Sequence, residues 1–290
     1  MIFIVDSGST KCDWLAIDSS GKQLLDKQRT TGMNPAILSP AKLEATIRKN
    51  PVLIANKNIV THVFFYGAGC GTEKPRLMLD TVLSMFFPNA KVDVKEDTYA
   101  AVYATVGHTH EPAVVCIMGT GSNCSYFDGD NVHQRVASLG YSVMDDASGN
   151  YFGRRLIRDY YFKHMPDFLR VSLAEKYNMD SDFIKFNLYK QPNPNAYLAK
   201  FAEFMFLNKD SEYIHELIKS GIREFAKNMI FQFKDELNEI PVHFAGSIAY
   251  FSQDEIKEVA DEMGFRVGVF ERRPIEGLVR YHVASMNSAS

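Results

Sequence analysis

The chain begins with the stretch Ile2-Phe3-Ile4-Val5-Asp6-Ser7-Gly8-Ser9-Thr10-Lys11, and this stretch indicates the fold. Residues 2–6 form an apolar run that ends in a carboxylate, as expected of a β-strand buried on both faces. A polar loop follows, and Gly8 lets its backbone approach a ligand because it has no Cβ. A strand ending in such a loop predicts an anion-binding hairpin, although an ordinary hairpin with a polar loop explains the same residues.

The same layout occurs a second time, beginning near residue 113. The buried-type strand Ala113–Met118 runs into Gly119-Thr120-Gly121-Ser122-Asn123, which again places glycines at a strand end. The predicted strands are 2–6, 12–18 and one ending near 30 in the first copy, and 113–118, 124–127 and 132–137 in the second. We therefore predict two related half-molecules that meet near residues 108–112. Their two loops would face each other across a cleft, where ligands tend to bind.

Composition limits the class of protein. The chain has 290 residues, 46% of them hydrophobic and 23% charged, which is typical of two globular domains. A net charge of -3 gives no reason to expect nucleic acid, and no apolar run approaches the roughly 20 residues that span a bilayer. No signal peptide is evident, so we expect a cytoplasmic protein. The cysteines, which lack metal-ligand spacing, are expected to be buried thiols: Cys12, Cys70, Cys116 and Cys124.

Polar residues at strand ends and helix starts are the candidates for chemistry. Asp6 could hold Mg²⁺ through water, because Mg²⁺ keeps most of its hydration shell. Asp97 follows a predicted strand at 91–94 and could accept the proton of an attacking hydroxyl, but Asp is also a favoured N-cap residue. Asp145 could orient sugar hydroxyls or complement a helix dipole. Asn34 is explained either by a ligand contact or by turn chemistry. Gly246 and Ser247 are explained either by close approach to a nucleotide base or by the start of a helix.

Five segments, which follow one another along the chain in the expected order, resemble the N-acetylglucosamine kinases. That family belongs to the ATPases with an actin- and hexokinase-like fold, a group that also contains the activators of benzoyl-CoA reductase. The string Gly-Thr-Gly-Ser-Asn-Cys at 119–124 is the most specific match. The matching segments are 5–11, 97–101, 119–124, 145–149 and 244–247.

The resemblance implies an α/β protein with the two-domain, actin-like (ribonuclease H-like) fold. Each domain would contain a βββαβαβα core, and the two would enclose a cleft that closes on sugar binding. The N-terminal domain would span residues 1–110 and the C-terminal domain 111–290, the latter with a helical insertion. The last helix, at about 274–288, would pack back towards the first domain.

The resemblance also implies a role for each candidate residue. Asp97 would be the catalytic base on the sugar 6-hydroxyl, and Asp6 would hold Mg²⁺ through water. ATP would be bound by Gly8, Ser9, Thr10, Lys11, Gly119, Thr120, Gly121, Gly246 and Ser247. The sugar would be bound by Asn34, Asp97, Ser122, Asn123 and Asp145.

The implied reaction is phosphorylation of an amino sugar by ATP with Mg²⁺. N-acetylglucosamine leads as substrate, with N-acetylmuramic acid and glucosamine as alternatives, and a homodimer is left open. The chain departs from the family at Asp145-Asp146-Ala147-Ser148, where members usually read Asp-Glu-Gly-Ser, and at Ser7 and Ser9, which replace glycines. Two other functions compete: an ATPase that activates a redox enzyme, and a non-catalytic regulator that binds sugar or ATP.

Overall fold

A computed structural model describes residues 1–8, 11–107 and 109–288. Ser9 and Thr10, two of the predicted ATP-binding residues, lie outside the described residues. The chain divides into two compact units, the first formed by Met1–Glu111 with Arg273–Ser290 and the second by Pro112–Arg272. Among the residues that the structure describes, every helix is too short or too polar to cross a lipid bilayer.

The elements follow one another in the same order in both units, with extra helices in the second. The first unit begins with β1 (Ile2–Ser7), β2 (Lys11–Ile17), β3 (Gln28–Thr31), α1 (Pro40–Arg48), α2 (Pro51–Asn56), β4 (His62–Gly67), α3 (Glu73–Phe86), β5 (Lys91–Glu96) and α4 (Asp97–Val106). The second unit contains β6 (Ala113–Met118), β7 (Ser122–Phe127), β8 (Val132–His133), α5 (Gly149–Tyr161), α6 (Asp167–Lys176), α7 (Ser181–Tyr189), α8 (Pro194–Ala199), α9 (Ala202–Leu207), α10 (Glu212–Asn228), a 3-10 helix (Ile230–Phe233), β9 (Val242–Ala245), α11 (Ser247–Phe251), α12 (Gln253–Met263) and β10 (Val267–Glu271). The last helix, α13 (Pro274–Ser288), belongs to the first unit.

The two sheets have the same topology. Their strand orders are β3-β2-β1-β4-β5 and, read in the matching direction, β8-β7-β6-β9-β10. β1 pairs antiparallel with β2 and parallel with β4, and β6 has the same relations to β7 and β9. The predicted α/β fold with a duplicated core is therefore confirmed.

One predicted strand is too long. The strand expected at 132–137 is only β8, which ends at His133. Beyond it, the Arg135 guanidinium bonds to Glu236 and stacks at 4.8 Å over the ring of Phe233. Just beyond the end of the strand, the chain thus contacts another part of the second unit instead of continuing along β7.

Alternation along β1 places its side chains in two different apolar layers. Phe3 and Val5 pack in a core with Trp14, whereas Ile2 and Ile4 pack in a second core that α13 completes. Each such buried side chain stabilises the fold by about 1.5–3 kcal/mol relative to its exposure. By the same alternation, Asp6 projects on the face of Ile2 and Ile4, where α4 and α13 pack against β1.

Candidate active site

The first predicted phosphate loop joins β1 to β2. Asp6 lies opposite Asp13 in the antiparallel register, and Arg29 Nε lies 2.6 Å from Asp13 Oδ1. Desolvation at its partly buried position raises the pKa of Asp6 to about 6; the charge of Lys11 lowers this pKa and that of Asp13 raises it. A nearby cation would favour the ionised form of such a carboxyl group.

The described part of this loop is open. A Cβ added to Gly8 would find its nearest neighbour among the described residues, the backbone oxygen of Lys11, at 3.9 Å, so no described side chain fills the space. Lys11 is the first residue of β2 and is exposed. Gly8 directly follows β1 and Lys11 begins β2, so both lie near Asp6.

Asp97 is the first residue of α4, directly after β5. The N-cap residue is Glu96, not Asp97, and its side chain makes no capping bond. The Asp97 carboxylate accepts bonds from its own backbone N–H and that of Thr98, which lower its pKa. Desolvation, followed by the charges of Glu96 and Asp6, outweighs them and raises the pKa of Asp97 to about 7. A carboxylate with such a pKa is well matched to proton transfer at neutral pH.

Asn34 packs against the glycine-bearing loop after β4. Its Oδ1 accepts from the backbone N–H of Ala36 at 2.9 Å, and a Cβ on Gly69 would lie 2.0 Å from the same atom. A Cβ on Gly71 would lie 2.7 Å from Glu96 Oε1. The two glycines thus let one loop contact both Asn34 and the residue beside Asp97.

The second predicted phosphate loop joins β6 to β7 and is held by the start of α5. The N–H of Gly149 donates to Gly119 O at 2.8 Å, and Asn150 donates to Thr120 O through both its backbone N (3.0 Å) and its Nδ2 (2.6 Å). Within the described part of the chain, the N–H groups of Thr120 and Gly121 have no acceptor. The loop therefore has its carbonyls bound and two donors available, as an anion-binding turn requires.

Asp145 lies against this second loop. Its Oδ2 accepts from Asn150 Nδ2 at 2.8 Å, and a Cβ on Gly121 would lie 2.7 Å from that oxygen. Burial raises the pKa of Asp145, while bonds from Asn150 and from the backbone N–H of Ser122 lower it. Close approach of the loop to this carboxylate is possible only because residue 121 is glycine.

The other predicted sugar-binding residues of the second unit have partners within the chain. The Ser122 hydroxyl donates to Asp146 O at 2.7 Å, and Asn123 Oδ1 accepts from the N–H of Cys124 at 2.8 Å. A cavity of about 260 Å³ opens beside them. It is lined by Ser122, Val136, Ser138, Val143, Met144, Asp145, Asp146, Asn228, Met229 and Gln232.

Gly246, between β9 and α11, touches the strand that leads into the second loop. Its backbone has φ 110° and ψ 164°, and an added Cβ would lie 2.4 Å from Met118 O and 3.3 Å from Gly119 N. Ser247 begins α11 and is exposed. The structure thus brings Gly246 together with Gly119, Thr120, Gly121 and Asp145 in the second unit.

Asp6 is suited to hold a hydrated cation. No cluster of three or more His, Cys, Asp or Glu in residues 1–8, 11–107 and 109–288 could hold a metal ion. Asp6 offers a single partly buried carboxylate, which fits Mg²⁺ bound mainly by water and phosphate oxygens.

Two residues beside the predicted groups, one in each unit, were not predicted from the sequence. Asn150 is fully buried and joins Thr120 to Asp145, and Glu96 raises the pKa of Asp97. The adjacency of Glu96 to Asp97 was a usable signal, because neighbouring carboxylates raise each other's pKa. No local pattern distinguishes Asn150 from any polar residue in the first turn of a helix.

The Ala147 departure keeps a backbone conformation that favours glycine, with φ 54°. We expect Ala147→Gly to change the free energy of unfolding by less than about 1 kcal/mol. Relief of left-handed backbone strain, about 1–2 kcal/mol, is offset by loss of a buried methyl group, about 0.8 kcal/mol, and by added unfolded-state entropy, about 0.4–1 kcal/mol.

The matched control is Ala226→Gly, at a fully buried position inside α10. At that position glycine lowers helix propensity and removes a buried methyl group without relieving any strain, so we expect a loss of about 2 kcal/mol in unfolding free energy. Urea unfolding of both variants checks the contrast. Equal losses would mean that the backbone at Ala147 is not strained.

Solved structures with the same fold were found by comparison. A provisionally named N-acetylglucosamine kinase from Porphyromonas gingivalis is 31% identical, with 98% of this chain and 99% of that chain covered and a TM-score of 0.91. A second provisionally named N-acetylglucosamine kinase, from Chromobacterium violaceum, is 16% identical with a TM-score of 0.70, covering 97% of this chain and 98% of that one. A ROK family glucokinase from Streptomyces griseus, in complex with glucose and AMPPNP, is 13% identical with a TM-score of 0.59, covering 97% of both chains.

The structures at 16% and 13% identity show the fold alone. The Porphyromonas gingivalis structure is similar to this chain in fold, in length and in sequence. Neither a protein-family model nor a curated protein sequence matches the chain. The agreement with the Porphyromonas gingivalis protein extends over nearly the whole of both chains. The chain therefore belongs to the N-acetylglucosamine kinase-like family of ATP-dependent sugar kinases with the actin-like fold.

Proposed function

We propose that this sugar kinase transfers the γ-phosphoryl group of ATP to the 6-hydroxyl of N-acetylglucosamine. The observation that carries the proposal is the environment of Asp97, whose pKa is raised to about 7 by burial and by Glu96 and Asp6. In the proposed reaction Asp97 accepts the proton of the attacking hydroxyl, which is the main protein chemistry that phosphoryl transfer needs beyond positioning and charge stabilisation.

The phosphate-binding roles are assigned to the glycine loops of the two units. The unoccupied N–H donors of Thr120 and Gly121 support phosphate binding in the second unit, and Gly8, Ser9, Thr10 and Lys11 are assigned the same role in the first. Asp6 would hold hydrated Mg²⁺, which when bound neutralises phosphate charge. Gly246 and Ser247 are assigned to the adenine side.

The cavity beside Asp145 favours a neutral or cationic sugar. Its lining contains two carboxylates, Asp145 and Asp146, and no Lys, Arg or His. N-acetylmuramic acid carries an additional carboxylate, which these residues would repel, whereas the ammonium group of glucosamine would be tolerated. Because juxtaposed like charges disfavour binding strongly, N-acetylglucosamine should exceed N-acetylmuramic acid in kcat/KM by more than about tenfold.

A coupled assay of ADP release over a panel of amino sugars tests the proposal. N-acetylglucosamine is expected to give the highest kcat/KM, with glucosamine second. Comparable turnover of N-acetylmuramic acid would contradict the sugar assignment. If no sugar supports ADP release while the folded protein binds ATP, the kinase proposal itself fails and the regulator alternative is favoured.

The cysteines argue against a redox activator. All four are buried free thiols, and they are distributed as Cys12 and Cys70 in the first unit and Cys116 and Cys124 in the second. An iron–sulfur cluster shared between subunits needs cysteines at a surface. An ultraviolet–visible spectrum of anaerobically purified protein is expected to show no cluster absorption. A cytoplasmic location is part of the proposal.

A further inference from the structure

Helix α5 carries three arginines around one pocket of the second unit. Arg158 follows Arg155 by three positions and Arg154 by four, so its side chain neighbours both of them on the helix surface. They line an open pocket of about 410 Å³ together with Tyr151, Asp159, Phe162, His164 and Glu224. No role in the proposed reaction is assigned to this pocket.

None of these three guanidinium groups forms an ion pair with any carboxylate in the part of the chain that the structure describes. Arg154 donates to Tyr141 O at 2.9 Å, Arg155 donates to the Tyr151 hydroxyl at 3.1 Å, and Arg158 lies 5.3 Å over the ring of Phe162. Arginines elsewhere do find carboxylates; examples are Arg29, Arg48, Arg135, Arg170 and Arg223. Arg266, which donates to Glu239 O, and Arg272, which lies over the ring of Phe251, also lack an ion pair among the described residues. What distinguishes the α5 arginines is that three of them line one pocket.

The carboxylates of the pocket are engaged by neutral donors. Glu224 Oε2 accepts from the Tyr151 hydroxyl at 2.7 Å, and Asp159 Oδ2 accepts from the Tyr213 hydroxyl at 2.6 Å. His164 Nδ1 lies 3.8 Å from Asp159 Oδ1, beyond hydrogen-bond distance. The guanidinium groups are thus left to face the pocket without a bonded counter-charge.

Such an arrangement leaves guanidinium donors unused unless a further anion is present, because three arginines share the pocket with only two carboxylates, Asp159 and Glu224, which bond hydroxyl groups instead. Like charges one turn apart on a helix repel each other, and arginine satisfies its planar fork of donors best with a carboxylate or phosphate. Arg158 is exposed, and its position over Phe162 orients its guanidinium plane. A phosphate group between Arg155 and Arg158 would receive donors from both and would remove the repulsion.

We propose that this pocket binds a small phosphate-bearing molecule, either inorganic phosphate or a phosphomonoester. A concave pocket with three arginines fits a small dianion, whereas a chain of net charge -3 lacks the basic face of a nucleic-acid protein. Arg154 lowers the pKa of Asp145, which lies against the Gly119–Gly121 loop, but the proposed phosphate position between Arg155 and Arg158 is distinct from that loop. Asn150, which binds that loop, and Arg158 are eight residues apart on α5, or about 12 Å along its axis.

The test uses the full chain with the nucleotide site saturated by AMPPNP, so that phosphate cannot occupy it. Inorganic phosphate and glucose 6-phosphate are titrated separately while the arginine Nε–H signals are followed by NMR. We expect the signals of Arg155 and Arg158 to shift with a Kd on the order of 1 mM for at least one of the two ligands. Tighter binding of glucose 6-phosphate would identify a phosphomonoester as the ligand, and equal binding would identify phosphate alone.

Substitution decides whether the arginines carry the binding. Arg158→Gln, at an exposed position, should weaken binding by about tenfold, and Arg155→Gln/Arg158→Gln should abolish it. The matched control is Arg170→Gln on α6, whose partner is Asp167 at 2.7 Å; it should bind as the wild type does. The proposal is overturned if the double variant binds phosphate as tightly as the wild type, or if neither ligand shifts the α5 signals.

Discussion

The Asp97→Asn variant is expected to lose about 100- to 10,000-fold in kcat while remaining folded. An amide has nearly the shape of the carboxylate but cannot accept the proton of the attacking hydroxyl. Steady-state ADP release with N-acetylglucosamine measures the effect. The control is Asp93→Asn on β5, which removes a carboxylate that pairs with Lys95 and has no assigned role, so its kcat should stay close to that of the wild type. Wild-type turnover by the Asp97 variant would remove this residue from the mechanism.

The same substitution should stabilise the protein at alkaline pH. The folded-state pKa of Asp97, about 7, lies above the usual 3.8, so the folded state binds more protons between these values than the unfolded state does. The free energy of unfolding of the wild type therefore falls as pH rises from about 4 to about 7 and stays lower above that. Asparagine avoids this loss, and the difference between the two pKa values corresponds to a gain on the order of 4 kcal/mol at pH 8 and little at pH 4.

Denaturant unfolding at both pH values measures the gain, and it separates lost catalysis from lost folding. The raised pKa also sets the rate profile: kcat/KM should rise with pH through about 7 and level off once Asp97 is ionised. Asp6, with a pKa raised to about 6, lies close enough to influence this limb. A profile that is flat from pH 5 to pH 9 would contradict the assignment of Asp97 as the base.

The Gly246→Ala variant is expected to lose about 3 kcal/mol or more of unfolding free energy and much of its affinity for ATP. At φ 110° and ψ 164° the backbone lies in a region used essentially by glycine alone, and the new Cβ would lie 2.4 Å from Met118 O. Relief of that contact requires movement of the Met118–Gly119 backbone. The phosphate loop would then move with it.

Gly264→Ala is the matched control. Gly264 ends α12 at φ 80° and ψ 43°, and an added Cβ there has no neighbour within 4 Å among the described residues. The Gly264→Ala variant should lose only about 1 kcal/mol of unfolding free energy, from backbone strain alone, and should bind nucleotide normally. Urea unfolding and calorimetric titration with AMPPNP measure both variants. Equal losses in the two would show that the contact between Gly246 and Met118 has no energetic effect.

Features of the fold that depend on local patterns were predictable from the sequence. Strands buried on both faces appear as short apolar runs, and each run that leads into a glycine loop marks the start of one half. The extent of β8 was not predictable, because the segment that follows it contacts residues far away in the chain, as Arg135 does with Glu236. Such contacts leave no periodic signal.

The candidate functional residues also include features that were predictable from local sequence and features that were not. Asp6, Asp97 and the loops that begin at Gly8 and Gly119 could be placed at strand ends from the sequence, because strand, loop and helix signals are local. Their burial, protonation and hydrogen-bond partners follow from the folded structure. Desolvation and the charges of the adjacent Glu96 and of Asp6 raise the pKa of Asp97, and the shape of the second loop depends on Asn150 and Gly246. Glu96 is visible in the sequence, but desolvation and the other contacts act through space and depend on residues distant in the chain.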